Sequence, residues 1–292
     1  MSSTNDWIDP SRFPFESNRL AVSGGQMHYV DQGSGTPVLF LHGNPTWSFM
    51  YRDAITELMG RHRCIAPDHL GFGLSDKPQN WGYRPWQHAT NIARLIQNLG
   101  LERFHLVVHD WGGPIGISVA QDFHDQVDSI TVLNSWMWPL DSSWKAQFFS
   151  RFLGSFAGRY LIRHWGLFEK WMMPQGVSNR SRFDGDIHRH YLKPFEGPSD
   201  RNGIWRFPTD ILQAGKWLEN LWKNRRVLED IPALFLWGLE DPAFTREDLE
   251  RWRGLFNRQS VRTFEKASHY VMEDAGQQVA VRLARFLTGV GS

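Results

Sequence analysis

The run Leu106-Val107-Val108-His109-Asp110-Trp111-Gly112-Gly113 passes from an apolar, β-rich stretch into a carboxylate and then into a glycine pair. A continuous apolar run suits a strand buried on both faces, the situation of a central parallel strand. Glycines directly after it allow the chain to reverse sharply and open a helix. This layout predicts a tight strand-to-helix turn that lifts one side chain above the carboxyl edge of a parallel sheet. The side chain lifted here is Asp110. Serine usually occupies such a turn and suits attack on a carbonyl. A carboxylate is anionic at pH 7 without a base to activate it, and suits displacement at a saturated carbon. One residue thus moves the expected chemistry from ester hydrolysis toward breaking a bond between carbon and a leaving group.

Other short apolar runs repeat the theme. Leu20 to Val30 reads as two strands around a Gly24-Gly25 turn. Pro37 to Leu41 ends in His42-Gly43-Asn44-Pro45, and Cys64 to Pro67 ends at Asp68. Val127 to Leu133 ends at Asn134, Ala233 to Trp237 ends at Gly238-Leu239-Glu240-Asp241, and Val261 to Phe264 precedes His269. Between them lie helical patterns: Ile92, Leu95, Ile96 and Leu99 at i, i+3, i+4, i+7 with Gly100 as terminator, then Ile115 to Phe123, and finally Val279 to Leu287. Strand, loop and helix in alternation predict an α/β fold, a mostly parallel doubly wound sheet with a short antiparallel start. From Trp138 to about Gly215 the alternation stops, and no strand pattern interrupts the helical, aromatic-rich stretch. We read residues 138–215 as a helical cap inserted after the sixth strand, over a core made of 1–137 and 216–292. Ligands in open α/β sheets sit at the strand carboxyl ends, beneath such a cap.

Composition narrows the function classes. A formal net charge of +1 gives no long-range attraction to nucleic acid or an anionic membrane, so neither is expected as a partner. The single cysteine, Cys64, excludes an internal disulfide and sits in an apolar run. Residues 1–15 lack the basic and apolar regions of a secretory leader, and no apolar stretch reaches the length of a membrane span, so a cytoplasmic location is expected. The 15 Trp and 20 Phe, dense between Trp136 and Trp222, supply core packing or the wall of an apolar cavity. His188 and His190 form a pair without a third ligand at metal-binding spacing, so no metal is expected.

Three candidate catalytic residues fall at strand ends in the order Asp110, Asp241, His269. Each alone has an ordinary structural explanation; together they follow the chain order nucleophile, acid, histidine of the α/β hydrolases. Asp110 attacks carbon and becomes an ester. His269 takes a proton from the water that attacks the ester, and Asp241 holds the imidazole in the required tautomer. The backbone N–H groups of Asn44 and Trp111 are the expected oxyanion hole. Their side chains add an amide and an indole donor, suited to holding a departing halide without giving it a proton.

The motifs His42-Gly43-Asn44-Pro45-Thr46-Trp47-Ser48-Phe49, Gly71-Phe72-Gly73-Leu74-Ser75, His109-Asp110-Trp111-Gly112-Gly113-Pro114 and Ser268-His269-Tyr270-Val271-Met272-Glu273-Asp274 resemble those of the haloalkane dehalogenases, over about residues 13–287 with the cap looser. The resemblance implies hydrolysis of a small apolar haloalkane by water to alcohol, halide ion and proton, with no cofactor. In one branch of that family the acid is a Glu after the strand that follows the nucleophile helix. Asn134 stands there, so the acid is assigned to Asp241. Asn44 with Trp111 and Asp241 resembles the branch that combines an Asp-His-Asp triad with an Asn-Trp halide pair, often called subfamily III. That branch leaves a homo-oligomer open. Phe168 and Pro208 match positions lining the family's pocket, and Phe149, Phe152 and Phe244 are further candidates.

Two alternatives remain at this point. An epoxide hydrolase would use the same Asp110 and His269, with cap tyrosines protonating the opening oxygen; Tyr160 and Tyr191 lie in the cap segment. A non-catalytic ligand binder on the same scaffold would have no need of an aligned general base. A fluoroacetate dehalogenase is disfavoured, since that family has Arg where Trp111 stands.

Overall fold

The apolar runs become the middle strands of one sheet. The computed structural model describes residues 6–290; the reading of residues 1–15 as leaderless rests in part on residues 1–5, which lie outside the described residues. In chain order the strands are β1 (Ser17–Val22), β2 (Gly25–Gln32), β3 (Pro37–Leu41), β4 (Arg63–Pro67), β5 (Phe104–Asp110), β6 (Val127–Ser135), β7 (Ala233–Gly238) and β8 (Gln259–Phe264). Their spatial order is β1-β2-β4-β3-β5-β6-β7-β8. β2 pairs antiparallel with β1 and with β4, and every other pairing is parallel, as the alternation of runs and helices predicts.

The helices are α1 (Arg52–Leu58), α2 (Pro85–Asn98), α3 (Gly112–Asp122), α4 (Trp144–Gly154), α5 (Phe156–Tyr160), the single turn α6 (Met173–Gln175), α7 (Gly185–Leu192), α8 (Asn202–Gln213), α9 (Gly215–Lys223), α10 (Arg246–Arg253) and α11 (Val271–Val290). Two π-helical stretches, Leu161–Trp165 and Leu167–Met172, join α5 to α6. Between Ser135 and Ala233 the described residues hold helices and no strand.

Successive side chains on a strand point to opposite faces, and here both faces are apolar. Leu39, Leu41, Leu106, Val108, Phe235 and Trp237 meet Ile92, Leu95 and Ile96 of α2 and Ile115 and Val119 of α3. Val38, Phe40, Val107, Leu234 and Leu236 meet Ala54, Ile55 and Leu58 of α1 and Val279, Leu283 and Leu287 of α11. Burying one such side chain is worth about 1.5–3 kcal/mol. β5, buried at every position, is therefore held from both sides, and it delivers Asp110 to a fixed place at the sheet's carboxyl edge. Cys64 lies inside, where burial pushes its thiol pKa up to about 12, so it is an unreactive core residue.

A buried ionic cluster ties the inserted helices to the layer beneath the sheet. Arg52 of α1 donates two bonds, 2.7 and 2.6 Å, to Glu273 of α11, and the Tyr191 hydroxyl of α7 donates to the same carboxylate. Glu273→Ala leaves a buried guanidinium without its counter-charge, bonded only to the Phe49 carbonyl, and a buried hydroxyl without its acceptor. The expected cost is about 3–5 kcal/mol, a loss of roughly 6–10 °C in Tm by thermal unfolding. An unchanged Tm would show that Arg52 finds another partner.

Candidate active site

β5 ends in a strained turn. The Asp110 backbone has φ +49°, a left-handed conformation that non-glycine residues adopt only where the surroundings over-determine it. The pairing register with β6 slips at the same step, between His109 and Asp110. Gly112 and Gly113 permit the close approach: a Cβ on the first would strike the Leu41 carbonyl and on the second the Ser135 hydroxyl. That hydroxyl donates to the Asp110 carbonyl oxygen at 2.6 Å, pinning the turn.

The two Asp110 carboxylate oxygens have different surroundings. Oδ1 accepts the Asn44 backbone N–H at 2.7 Å, and the Trp111 backbone N–H also bonds the carboxylate. Oδ2 lies 3.9 Å from His269 Nε2, beyond direct hydrogen bonding. Burial raises the Asp110 pKa above the ordinary aspartate value, opposed by the His269 charge and the two N–H donors.

His269 Nδ1 bonds Asp241 Oδ2 at 3.0 Å. Burial works against the imidazolium, but the Asp241 charge and hydrogen bond, with Asp110 adding to them, outweigh it and raise the His269 pKa above 6.5. Asp241 has two further donors: Asn134 Nδ2 at 2.8 Å to Oδ2 and the Ala243 N–H at 2.7 Å to Oδ1. Burial alone would raise its pKa, yet His269 and these donors hold it below the ordinary value. Asn134 also bonds both backbone groups of Gly238, joining the ends of β6 and β7. The sequence placed Asn134 only as a residue unable to replace the acid; its amide in fact contacts that acid.

Two buried histidines brace the loops. His109, neutral because burial lowers its pKa to about 3, bonds the His269 carbonyl through Nε2 at 2.9 Å. His42 bonds the Gly43 carbonyl through Nδ1 at 2.8 Å and accepts the His69 N–H at Nε2, which fixes the turn before Asn44. Both stood in the quoted motifs, and only the three-dimensional contacts assign them this task.

The insertion closes over this edge. The Trp111 indole stacks on Phe207 at 5.0 Å and meets Trp136 edge-on at 4.7 Å. Asn44 Nδ2 donates to the Ile204 carbonyl at 3.2 Å; an amide nitrogen carries two hydrogens, so a second remains for a ligand. Asn44 Oδ1 is buried without a partner, and the Tyr270 hydroxyl donates to the Asn44 carbonyl. Phe244 stacks on Trp136 and lies 5.5 Å from the His269 ring. Pro208 is buried in α8 beside Phe207, and Phe149 meets Phe168 edge-on. Phe207 and Ile204, absent from the sequence expectation, touch Trp111 and Asn44 directly. Phe152 corrects that expectation: its ring is 44% exposed and stacks on Phe148 along the outer face of α4, whose inward positions are Ser150 and Leu153.

The cap tyrosines are committed elsewhere. Tyr191 bonds Glu273, and Tyr160 is half exposed and stacked on His164. His188 and His190 each bond backbone carbonyls, and among the described residues no group of His, Cys, Asp or Glu side chains is arranged to hold a metal.

A family model for the alpha/beta hydrolase fold matches residues 36–276. Haloalkane dehalogenase 2 of Mycobacterium tuberculosis (strain ATCC 25618 / H37Rv) is 37% identical over 94% of this chain and 96% of the relative. The chain belongs to the haloalkane dehalogenase family. The haloalkane dehalogenase DatA from Agrobacterium tumefaciens C58 shares its fold, with a TM-score of 0.85 at 24% identity over 94% of this chain and 97% of that one. Dehalogenase kinship extends to other named activities: a cis-3-alkyl-4-alkyloxetan-2-one decarboxylase of Shewanella oneidensis (strain MR-1) is 32% identical over 94% of this chain and 89% of that relative.

Proposed function

We propose that this enzyme hydrolyses small apolar haloalkanes, with Asp110 as nucleophile, His269 as base and Asp241 as the acid that orients it. The observation that carries the reading is the split environment of Asp110: Oδ1 held by the Asn44 backbone N–H, Oδ2 facing His269. Oδ2 attacks the carbon bearing the halogen. The carbon–oxygen bond forms as the carbon–halogen bond breaks, and the halide leaves with the bonding pair toward the Asn44 and Trp111 side-chain donors. Oδ1, now the ester carbonyl oxygen, already lies in the hole that stabilises an oxyanion. His269 Nε2 takes a proton from water, whose oxygen attacks the ester carbon. Collapse releases the alcohol and restores the carboxylate, and the proton passes to solvent.

The same reading treats residues 138–215 as the cap over a core of 1–137 and 216–292, with Phe149, Phe168, Pro208 and Phe244 beside the substrate, no cofactor and a cytoplasmic location. It disfavours an epoxide hydrolase, because neither Tyr160 nor Tyr191 offers a hydroxyl to an oxygen opening above Asp110. A second reading rests on the decarboxylase relative. A four-membered lactone carries its own carboxylate leaving group, which the Asn44 and Trp111 donors also suit, and its loss as carbon dioxide leaves an alkene without a co-reactant.

Purified protein with 1,2-dibromoethane, 1-bromobutane, styrene oxide and a cis-3,4-dialkyl-oxetan-2-one separates these readings. Halide release is expected. Alkene without halide would establish the second reading, and no turnover of any substrate would promote the binder. Asn44→Ala removes the amide donor but keeps the backbone N–H, so halide release should fall roughly ten- to a thousandfold, the scale of losing one such donor. An unchanged rate would exclude Asn44 from halide binding.

A further inference from the structure

The segment from α4 to the second π-helical stretch turns seven aromatic rings to the outside. Trp144 is 72% exposed, Phe148 69%, Phe152 44%, Phe156 88%, Tyr160 49%, Trp165 62% and Trp171 61%. Trp144, Phe148 and Phe152 recur at every fourth residue along α4, the spacing that lines one face of a helix, and Phe156 and Tyr160 repeat it on α5. Trp144, Phe148 and Phe152 border a shallow groove of about 440 Å³ together with Arg151. An aromatic ring buries roughly 150–250 Å², so these exposures sum to about 1,000 Å² of aromatic surface along one segment, where exposed apolar residues of a typical monomer are scattered singly.

Charge identifies what covers this face. Residues 144–171 contain Lys145, Arg151, Arg159, Arg163 and Lys170, against the single acid Glu169. Glu169 is buried and paired with Arg201. Among the described residues no carboxylate forms an ion pair with Lys145, Arg151, Arg159, Arg163 or Lys170. Asp141 lies at the edge of the segment, and Glu196, well past its end, pairs with Lys193. The chain's net charge of +1 therefore conceals a strongly basic face interleaved with Trp, Tyr and Phe. A second copy docking through the same face would bring two such cationic surfaces together, which the two-fold symmetry of an isologous contact makes unavoidable. An anionic bilayer instead accepts aromatic rings at headgroup depth and pairs its phosphates with Lys and Arg.

We propose that the outer face of residues 144–171 docks on an anionic phospholipid bilayer as a peripheral, non-spanning attachment. No helix of the described residues is long and apolar enough to cross a membrane. The attachment places the cap against the phase in which apolar substrates concentrate. The attachment departs from the expectation drawn from net charge, because it rests on how the charges are distributed and not on their sum.

The test is flotation of the full chain with vesicles of phosphatidylcholine alone or with a third phosphatidylglycerol, at low and high salt, beside light scattering of the protein alone. Binding to the anionic vesicles is expected, with at least a tenfold loss in neutral vesicles or high salt. Lys145→Glu with Arg151→Glu and Arg159→Glu should lower partitioning about a hundredfold. Trp144→Ser with Phe148→Ser and Phe156→Ser should also abolish flotation, with circular dichroism and halide release unchanged for both variants. No flotation of the wild type overturns the proposal. So does concentration-dependent self-association, abolished by the aromatic variant, in a protein that ignores vesicles.

Discussion

Asp110→Ala abolishes halide release while leaving the fold intact. Removing a nucleophile on which both chemical steps depend typically costs a factor of about 10⁴ or more, so release should fall to the uncatalysed background. The alternatives for the attacking group are poor. His269 Nε2 lies 3.9 Å behind the carboxylate, and Asp241 is screened from the substrate by His269 and held by Asn134 and the Ala243 N–H. The fold should survive because the wild-type carboxylate is itself an unfavourable feature. Burial raises its pKa. Alanine loses the Asn44 and Trp111 hydrogen bonds but removes a buried charge. The readouts are halide by ion chromatography and Tm by thermal unfolding. Retained halide release with an intact Tm would transfer the nucleophile's role away from Asp110 and end the displacement mechanism.

Much of this site is written locally. The strand positions follow from short apolar runs separated by helix-length patterns. The turn at Asp110 is readable because its requirement for two glycines is met by adjacent residues. The Asp241 and His269 positions are readable because each ends a strand, and a parallel sheet brings those ends to one edge. What escaped lies in contacts between distant segments. Asn134 bonding Asp241 spans the whole insertion, and the Ile204 carbonyl reaches Asn44 from α8. Neither has a spacing that a linear pattern records. Phe152 shows the complementary failure. Rings are dense on α4, and composition alone does not say which turn inward; that depends on α8 packing against α4, which takes Leu153 and Ser150 and leaves Phe152 outside. The choice of Phe168 and Pro208 came from resemblance rather than from any periodicity of their own.

His269→Phe lets a turnover begin and prevents it from finishing. Phenylalanine fills the imidazole's space between the Phe244 and Tyr270 rings, and Asp241 keeps its Asn134 and Ala243 donors. Displacement needs only the Asp110 carboxylate and the halide donors, so one equivalent of halide should appear in a burst. Hydrolysis needs a base at Nε2, and losing such a base costs roughly 10²–10⁴. The protein should therefore grow heavier by one butyl ester after 1-bromobutane, with the modified peptide containing Asp110. Wild type offers the same arrest through pH. Asp241 raises the His269 pKa against the effect of burial, while the Asp110 charge that adds to it is absent once Asp110 is esterified, so protonation disables the base as pH falls through the His269 pKa. Steady-state release should decline on an acid limb set by His269, which Asp241 moves upward in pH, with the butyl ester accumulating as it does so. His269→Phe should lose this limb from its burst phase. A variant that turns over at the wild-type rate, or that binds 1-bromobutane without an ester or halide, would remove His269 from the hydrolytic step, and the second outcome would favour a binder over an enzyme.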